Sequence, residues 1–147
     1  MVPIRPNSFV LLVIEDSDED FDTVAEAVAL SEVTVEVLRA TTGEAGLILL
    51  RELAPDRPTV VLMDLNTAGT DGRTALADVK SDVALKAIPV VVLSTSSSPK
   101  DIEFCYSVGA NAYHVKPVRY PEHRQLVIEI ARYWIGQVAL HAGRTSS

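Results

Sequence analysis

The chain has 147 residues and a net charge of −7 at pH 7, so it can bury the core of one domain but lacks the clustered basic residues that bind nucleic acid. Cys105 is the only cysteine, which excludes an intramolecular disulfide and a cysteine-based metal site and is typical of a reducing compartment. We therefore expect one cytoplasmic domain, residues 1–147, with no nucleic-acid partner.

Five short apolar runs rich in β-branched residues are predicted to be strands. The first of them is too short to cross a membrane or to act as a signal peptide, so we expect no membrane partner. Three of the runs are nearly continuous in Val, Leu and Ile, which is typical of parallel strands covered on both faces. In chain order, the predicted strands are Phe9–Ile14, Val33–Leu38, Val60–Met63, Ile88–Leu93 and Ala112–Val115.

Helical stretches alternate with these strands. Thr41 or Thr42 can cap the second helix, and Gly109 is a natural end for the fourth. The predicted helices are Asp18–Leu30, Gly43–Leu53, Gly72–Ser81, Pro99–Val108 and a fifth that starts near Pro121 and continues past Trp134. Alternating strands and helices predict stacked βαβ units, and hence a doubly wound α/β fold with a five-stranded parallel sheet.

Polar residues end the predicted strands, at the edge where such sheets bind ligands. Glu15 and Asp16 follow the first strand, Asp64 the third, Ser94 the fourth and Lys116 the fifth. Converging carboxylates repel one another unless a cation binds, and oxygen-only ligands suit Mg²⁺. Asp64 could attack phosphorus, while Lys116 and Ser94 could pair with phosphoryl oxygens.

Each of these residues also has an ordinary structural interpretation. Acids after a strand often cap a helix, a Lys-Pro pair often forms a solvated turn, and a serine can bond its own loop. Their joint presence on four strands of one fold favours a shared role in phosphoryl transfer.

Taken together, these residues resemble the receiver domain of bacterial response regulators over about residues 9–132. Further matches are Asp71-Gly72 after the acceptor loop, Ser94 five residues after Pro89, and Tyr113 three residues before Lys116. The resemblance implies a flavodoxin-like sheet of strand order 2-1-3-4-5 and a usually cis peptide bond between Lys116 and Pro117. Thr67 and Ala68 depart from the family pattern, because they replace the usual Met-Pro.

A narrower likeness is to single-domain regulators paired with phytochrome histidine kinases. It is carried by Asp64-Leu65-Asn66, Asp71-Gly72-Arg73, the run from Leu85 to Ser96, Ala110 to Tyr113, and Tyr133-Trp134.

The resemblance implies a mechanism as well as a fold. Asp64 would accept a phosphoryl group from a phosphohistidine of a partner histidine kinase, with Lys116 and Ser94 assisting. Mg²⁺ would be ligated by Asp16, Asp64 and the backbone carbonyl of Asn66, and by Glu15 through water. Ser94 and Tyr113 would form the switch, Asn66 and Ser96 would tune the rate of hydrolysis, and the output would be contact with an unidentified downstream protein.

Apolar residues continue beyond the receiver core into a C-terminal extension, residues 133–147. Tyr133, Trp134, Ile135 and Val138 predict a homodimer surface, because exposed apolar patches and aromatic anchors mark interfaces. The alternative is that the last helix packs more of its length on its own core.

Two other functions remain open. A Mg²⁺-dependent phosphohydrolase of the haloacid-dehalogenase type also uses an aspartate nucleophile, but its Asp-x-Asp motif would need an acid where Asn66 stands. A degenerate receiver could serve as a constitutive interaction module, but Asp16, Asp64, Ser94 and Lys116 are all present. We expect no turnover beyond the chain's own phosphotransfer and autodephosphorylation.

Overall fold

The computed structural model of the chain describes residues 8–53, 57–66, 72–138 and 140. The strands are β1 (Val10–Ile14), β2 (Glu36–Ala40), β3 (Thr59–Met63), β4 (Val90–Ser94) and β5 (Ala112–Val115). The helices are α1 (Asp18–Ser31), α2 (Gly43–Glu52), α3 (Gly72–Ser81), α4 (Pro99–Val108) and α5 (Tyr120–Trp134). The strands pair in parallel in the order β2-β1-β3-β4-β5, which confirms the predicted doubly wound α/β fold and its strand order.

The sheet is covered on both faces by helices. Because alternate residues of a strand point to opposite faces, β1 sends Leu12 and Ile14 into a core beneath α2, α3 and α4. Leu11 and Val13 point into a second core beneath α1 and α5. Two apolar faces explain why the central strands read as unbroken hydrophobic runs.

The second strand begins three residues later than predicted and ends two residues later, at Ala40. Pairing with β1 sets its bounds, because Val10 lies opposite Glu36 and Ile14 opposite Ala40. Val33 and Val35 pack against the second core before the strand begins. Their β-branched side chains indicated burial, whereas the register with β1 decides which residues form the strand.

The turn from the third strand into α3 depends on a glycine. Gly72 donates its backbone N–H to the carbonyl of Leu65 at 3.0 Å. A Cβ at position 72 would lie 2.7 Å from the Cα of Leu65, so only glycine allows this approach. Thr67, Ala68 and Asp71, which the sequence singled out in this loop, lie outside the described residues.

The end of the last helix and the residues after it pack against the second core. Ile135, directly after α5, is 5 % exposed and belongs to the second core, and Trp134 and Leu140 pack against that core. Tyr133 is 53 % exposed. Of the four residues predicted to form a dimer surface, Tyr133 is therefore the most available to a partner. Among the residues that the model describes, no helix is long and apolar enough to cross a membrane.

Candidate functional site

Backbone hydrogen bonds continue past the strand ends and fix the residues that follow them. The N–H of Asp64 donates to the carbonyl of Ile14 at 3.1 Å, and that of Lys116 donates to the carbonyl of Ser94 at 2.6 Å. Glu15 directly follows Ile14, so its side chain leaves the same edge of the sheet. The strand pairing thus assembles residues that are distant in sequence.

The ammonium group of Lys116 lies among three carboxylates. Its Nζ donates to Glu15 Oε1 at 3.1 Å, to Asp20 Oδ2 at 2.8 Å and to Asp64 Oδ2 at 2.8 Å. The lysine side chain is only 7 % exposed, so these interactions are shielded from bulk water. The bond between Lys116 and Pro117 is trans, since the described residues contain no cis peptide bond, and the expectation of a cis bond is not met.

Burial and charge shift the pKa values at this cluster. Burial, reinforced by the charge of Asp64, raises the pKa of Glu15 from 4.5 to about 7, although Lys116 acts to lower it. Burial acts to lower the pKa of Lys116, but its hydrogen bonds to Asp20 and Asp64 and the nearby negative charges raise it overall. The lysine is therefore charged, while Glu15 resists ionisation beside the other carboxylates.

The carboxylates form a donor set that fits a divalent cation. Within the described parts of the chain, Glu15, Asp20 and Asp64 each offer an oxygen, and these oxygens lie within 4.8 Å of one another. Hard oxygen ligands in a compact group are the ligands that Mg²⁺ prefers. Two of the four predicted metal ligands are thus brought together, and an acid that was not among them joins the group.

The other two predicted ligands are placed differently. Asp16 is exposed, whereas its neighbour Glu15 is buried. Asn66 is exposed, and its backbone N–H donates to Asp64 Oδ1 at 2.9 Å. Asn66 and Lys116 therefore bind different oxygens of the Asp64 carboxylate.

Asp20 is the site residue that sequence reasoning missed. It stands in a run of acids at the start of α1, which the helix dipole explains without any further role. Its backbone N–H caps the helix by donating to Ser17 Oγ at 3.2 Å. The cap places Asp20 in the first turn of α1, and no signal in the sequence pointed to its contact with Lys116.

Ser94, Ser96 and Tyr113 are connected to one another on the other side of the site. Ser94 is fully buried, and its Oγ accepts a hydrogen bond from the N–H of Ser96 at 3.1 Å. The Tyr113 hydroxyl donates to the carbonyl of Ser96 at 2.8 Å, and its half-buried ring packs against the first core. Tyr113 thus points inward and contacts the connection between β4 and α4.

Comparison with known proteins points to one family. The model of the response regulator receiver domain matches residues 11–128. Response regulator Rcp1 of Synechocystis sp. (strain ATCC 27184 / PCC 6803 / Kazusa) is 34 % identical over 137 residues, which cover 90 % of this chain and 93 % of Rcp1. The probable methanogenesis regulatory protein FilR2 of Methanothrix harundinacea (strain 6Ac) is 34 % identical over 131 residues, or 87 % of this chain and 84 % of FilR2.

Solved structures agree with these relatives. The Mn²⁺-bound form of Rcp1 superposes with a TM-score of 0.83 at 33 % identity and covers 91 % of this chain and 99 % of its own. The phosphorylated cyanobacterial phytochrome response regulator RcpA gives a TM-score of 0.83 at 36 % identity, covering 90 % of this chain and 98 % of its own. The similarity therefore extends over nine tenths of the chain.

Proposed function

The chain belongs to the response regulator receiver domain family, and we propose that it accepts a phosphoryl group on Asp64 from a phosphohistidine of a partner histidine kinase, with Mg²⁺ as cofactor. The observation that carries the proposal is the buried cluster in which Lys116 Nζ lies 2.8 Å from Asp64 Oδ2. Asp64 and Lys116 follow two strands that end at the same edge of the sheet. Formation of an aspartyl phosphate needs a carboxylate as nucleophile and a cation that neutralises the phosphoryl oxygens.

In the proposed transfer, a carboxylate oxygen of Asp64 forms a bond to phosphorus as the phosphorus–nitrogen bond to the histidine breaks. The electron pair of that bond returns to the imidazole. Lys116 pairs with a phosphoryl oxygen, and Ser94 donates its hydroxyl hydrogen to another. Bound Mg²⁺ would neutralise the negative charge that develops on the phosphoryl oxygens. Water later hydrolyses the acyl phosphate, so the chain acts on its own phosphoryl group rather than on other substrates.

The donor we propose is a phytochrome-type histidine kinase. RcpA is described as a cyanobacterial phytochrome response regulator and Rcp1 is comparably similar, and together these relatives support a light-sensing kinase. The similarity to FilR2, which is named as a probable methanogenesis regulatory protein, favours a second candidate, a kinase that senses a signal other than light. In either case we propose that the output is contact with a downstream protein through the surface next to Tyr113.

Chemical phosphorylation tests the proposal without the kinase. The whole chain, incubated with acetyl phosphate and Mg²⁺, should gain the mass of one phosphoryl group, and Asp64→Asn should gain none. The matched control is Asp22→Asn, which removes an exposed carboxylate of α1 outside the cluster and should load like the wild type. Loading of Asp64→Asn at the wild-type level would refute the proposal.

The same preparation separates the phosphohydrolase alternative. Since Asn66 cannot protonate a leaving group, glycerol phosphate, an ester whose alkoxide leaving group needs that proton, should not be turned over. Sustained, Asp64-dependent turnover of that ester would favour the phosphohydrolase instead.

A further inference from the structure

Ser96 is the centre of a hydrogen-bonded network between β4 and α4. Its N–H donates to Ser94 Oγ at 3.1 Å, and its carbonyl accepts from the Tyr113 hydroxyl at 2.8 Å. Its own hydroxyl donates to Asp101 Oδ2 at 2.6 Å. All three polar groups of Ser96 are therefore engaged, and the third contact leads away from the site.

Asp101 connects this network to the helix that follows the acceptor loop. Its other carboxylate oxygen, Oδ1, accepts a hydrogen bond from the guanidinium of Arg73. Arg73 is the second residue of α3, directly after Gly72, whose N–H bonds the carbonyl of Leu65 beside Asp64. The ion pair between Asp101 and Arg73 thus joins α4 to α3. The Asp101 side chain is 25 % exposed and that of Arg73 is 30 % exposed.

The ionised form of Asp101 suits this position. The hydrogen bonds from Ser96 and Arg73 hold the pKa of Asp101 below its ordinary value, so it accepts from both donors at neutral pH. Charge-assisted hydrogen bonds of this kind are stronger than neutral ones.

The contact decides what the Ser96 hydroxyl can do. A hydroxyl has one hydrogen, and Asp101 accepts it, while the N–H of Ser98 donates to the same oxygen at 3.2 Å. While Asp101 holds that hydrogen, the Ser96 hydroxyl cannot donate a hydrogen bond to a water molecule next to Asp64. Ser94 differs, because its oxygen accepts from Ser96 N–H, and none of the described residues accepts a hydrogen bond from its hydroxyl.

We propose that Asp101 is a positioning residue that restrains the Ser96 hydroxyl and thereby lengthens the lifetime of phosphorylated Asp64. The inference rests on the proposed function, since it concerns the hydrolysis of the same aspartyl phosphate. In that step, a water oxygen bonds to phosphorus as the bond from phosphorus to the Asp64 oxygen breaks, which regenerates the carboxylate and releases inorganic phosphate. A released Ser96 hydroxyl can hold that water in place and so accelerate the step.

Phosphoryl lifetimes of five variants test this role. The full chain is loaded with labelled acetyl phosphate and Mg²⁺, freed from excess reagent, and followed as the label is lost. Asp101→Ala should lose the label roughly threefold to tenfold faster than the wild type, the factor expected for one hydrogen bond. Glu103→Ala removes the same charge from an exposed position of α4 and should decay at the wild-type rate.

Combination with Ser96→Ala separates positioning from a general loss of structure. In the Ser96→Ala background, the further change Asp101→Ala should alter the rate by less than twofold, because there is no hydroxyl to release. Asp101→Asn keeps one acceptor oxygen and should decay at an intermediate rate. If Asp101→Ala does not fold, Asp101→Asn takes its place in the lifetime measurement.

Equal acceleration by Asp101→Ala with and without the Ser96 hydroxyl would overturn the proposal, as would an unchanged lifetime in both Asp101 variants. Failure of the proposed function looks different, since then the wild-type chain itself takes up no label on Asp64. A loaded wild type with an unaffected Asp101→Ala would refute only the positioning role.

Discussion

At the scale of single residues, the site is a problem of charge. Lys116 contacts the buried Glu15 and Asp64 and the partly exposed Asp20, so one positive charge is set against three acids. Burial and the negative charge of Asp64 raise the pKa of Glu15 to about 7, so below that pH Glu15 is largely neutral and repels the other acids less. A divalent cation, or the loss of one acid, would relieve the remaining repulsion.

The raised pKa predicts how stability depends on pH without metal. The unfolded chain releases the Glu15 proton near its ordinary pKa of 4.5, whereas the folded chain releases it near 7. The folded state is therefore favoured by this group at low pH, and that contribution is lost as pH rises through about 7. In EDTA, the free energy of unfolding of Glu15→Gln should fall less than that of the wild type as pH rises from 4.5 to about 7. Above about pH 8, Glu15→Gln should be the more stable of the two, by on the order of 1–2 kcal/mol.

Urea unfolding at several pH values measures this difference. The matched control is Glu19→Gln, an exposed acid of α1 whose pH profile should follow that of the wild type. A constant offset between wild type and Glu15→Gln from low to high pH would contradict the prediction.

Metal binding gives a second residue-scale prediction. Mg²⁺ at about tenfold its Kd should raise the Tm by about 3–5 °C through mass action. The gain should vanish in Asp16→Ala, the ligand implied by family resemblance, and should shrink in Asp20→Ala, which belongs to the carboxylate cluster. Asp22→Ala should keep the full gain in differential scanning fluorimetry. An equal gain in all variants would place the metal elsewhere.

The sequence predicted Asp64, Glu15 and Lys116 at the site because the ends of parallel strands meet at one edge whatever the intervening chain does. Asp20 could not be predicted in this way. Its part in the cluster depends on where the first turn of α1 lies relative to Lys116, almost a hundred residues along the chain, and that is decided by helix packing.

At the scale of elements, helices with clear caps and ends were predicted to within two residues. Thr42 and Gly109 mark the start of α2 and the end of α4, as local chemistry requires. The second strand begins later than predicted, because Val33 and Val35 pack, partly buried, against the second core without joining the sheet. Apolar composition reports burial, but pairing with β1 defines the strand.

At Gly72, the first residue of α3, one added methyl group should lower both stability and the rate of phosphoryl loading. Gly72→Ala would place a Cβ 2.7 Å from the Leu65 backbone, so the loop that carries Asp64 must move. We expect a loss of about 1–3 kcal/mol of stability and slower loading by acetyl phosphate. Thr74→Ala, at an exposed position of the same helix, should match the wild type in both urea unfolding and loading. Wild-type loading of Gly72→Ala would show that the acceptor geometry does not need the glycine.

At the scale of the whole molecule, the two-sided sheet explains how one chain brings its distant segments to a single edge. The same architecture leaves a groove of about 500 Å³ between β5 and the last turns of α5, bordered by Tyr133 and Trp134. These two rings contact each other edge to face, with centroids 5.4 Å apart. We propose that a second copy of the chain pairs with this surface.

Sizing-column light scattering in the tens of micromolar tests self-association. We expect a dimer, and Tyr133→Ala should weaken it, because that ring is exposed and its loss spares the core. Ile48→Ala removes an exposed apolar side chain from α2, on a different part of the surface, and should leave the dimer intact. A wild-type monomer, with or without beryllofluoride, would contradict self-association, and a dimer unaffected by Tyr133→Ala would refute this interface.

The central claim is that Asp64 is the residue that carries the phosphoryl group. The loaded chain can be reduced with borohydride, which converts an aspartyl phosphate to homoserine, and the site located by peptide mass mapping. We expect homoserine at position 64 and at no other acid, and none in a sample that was not loaded. Homoserine at Asp16 or Asp20 with position 64 unmodified would contradict it.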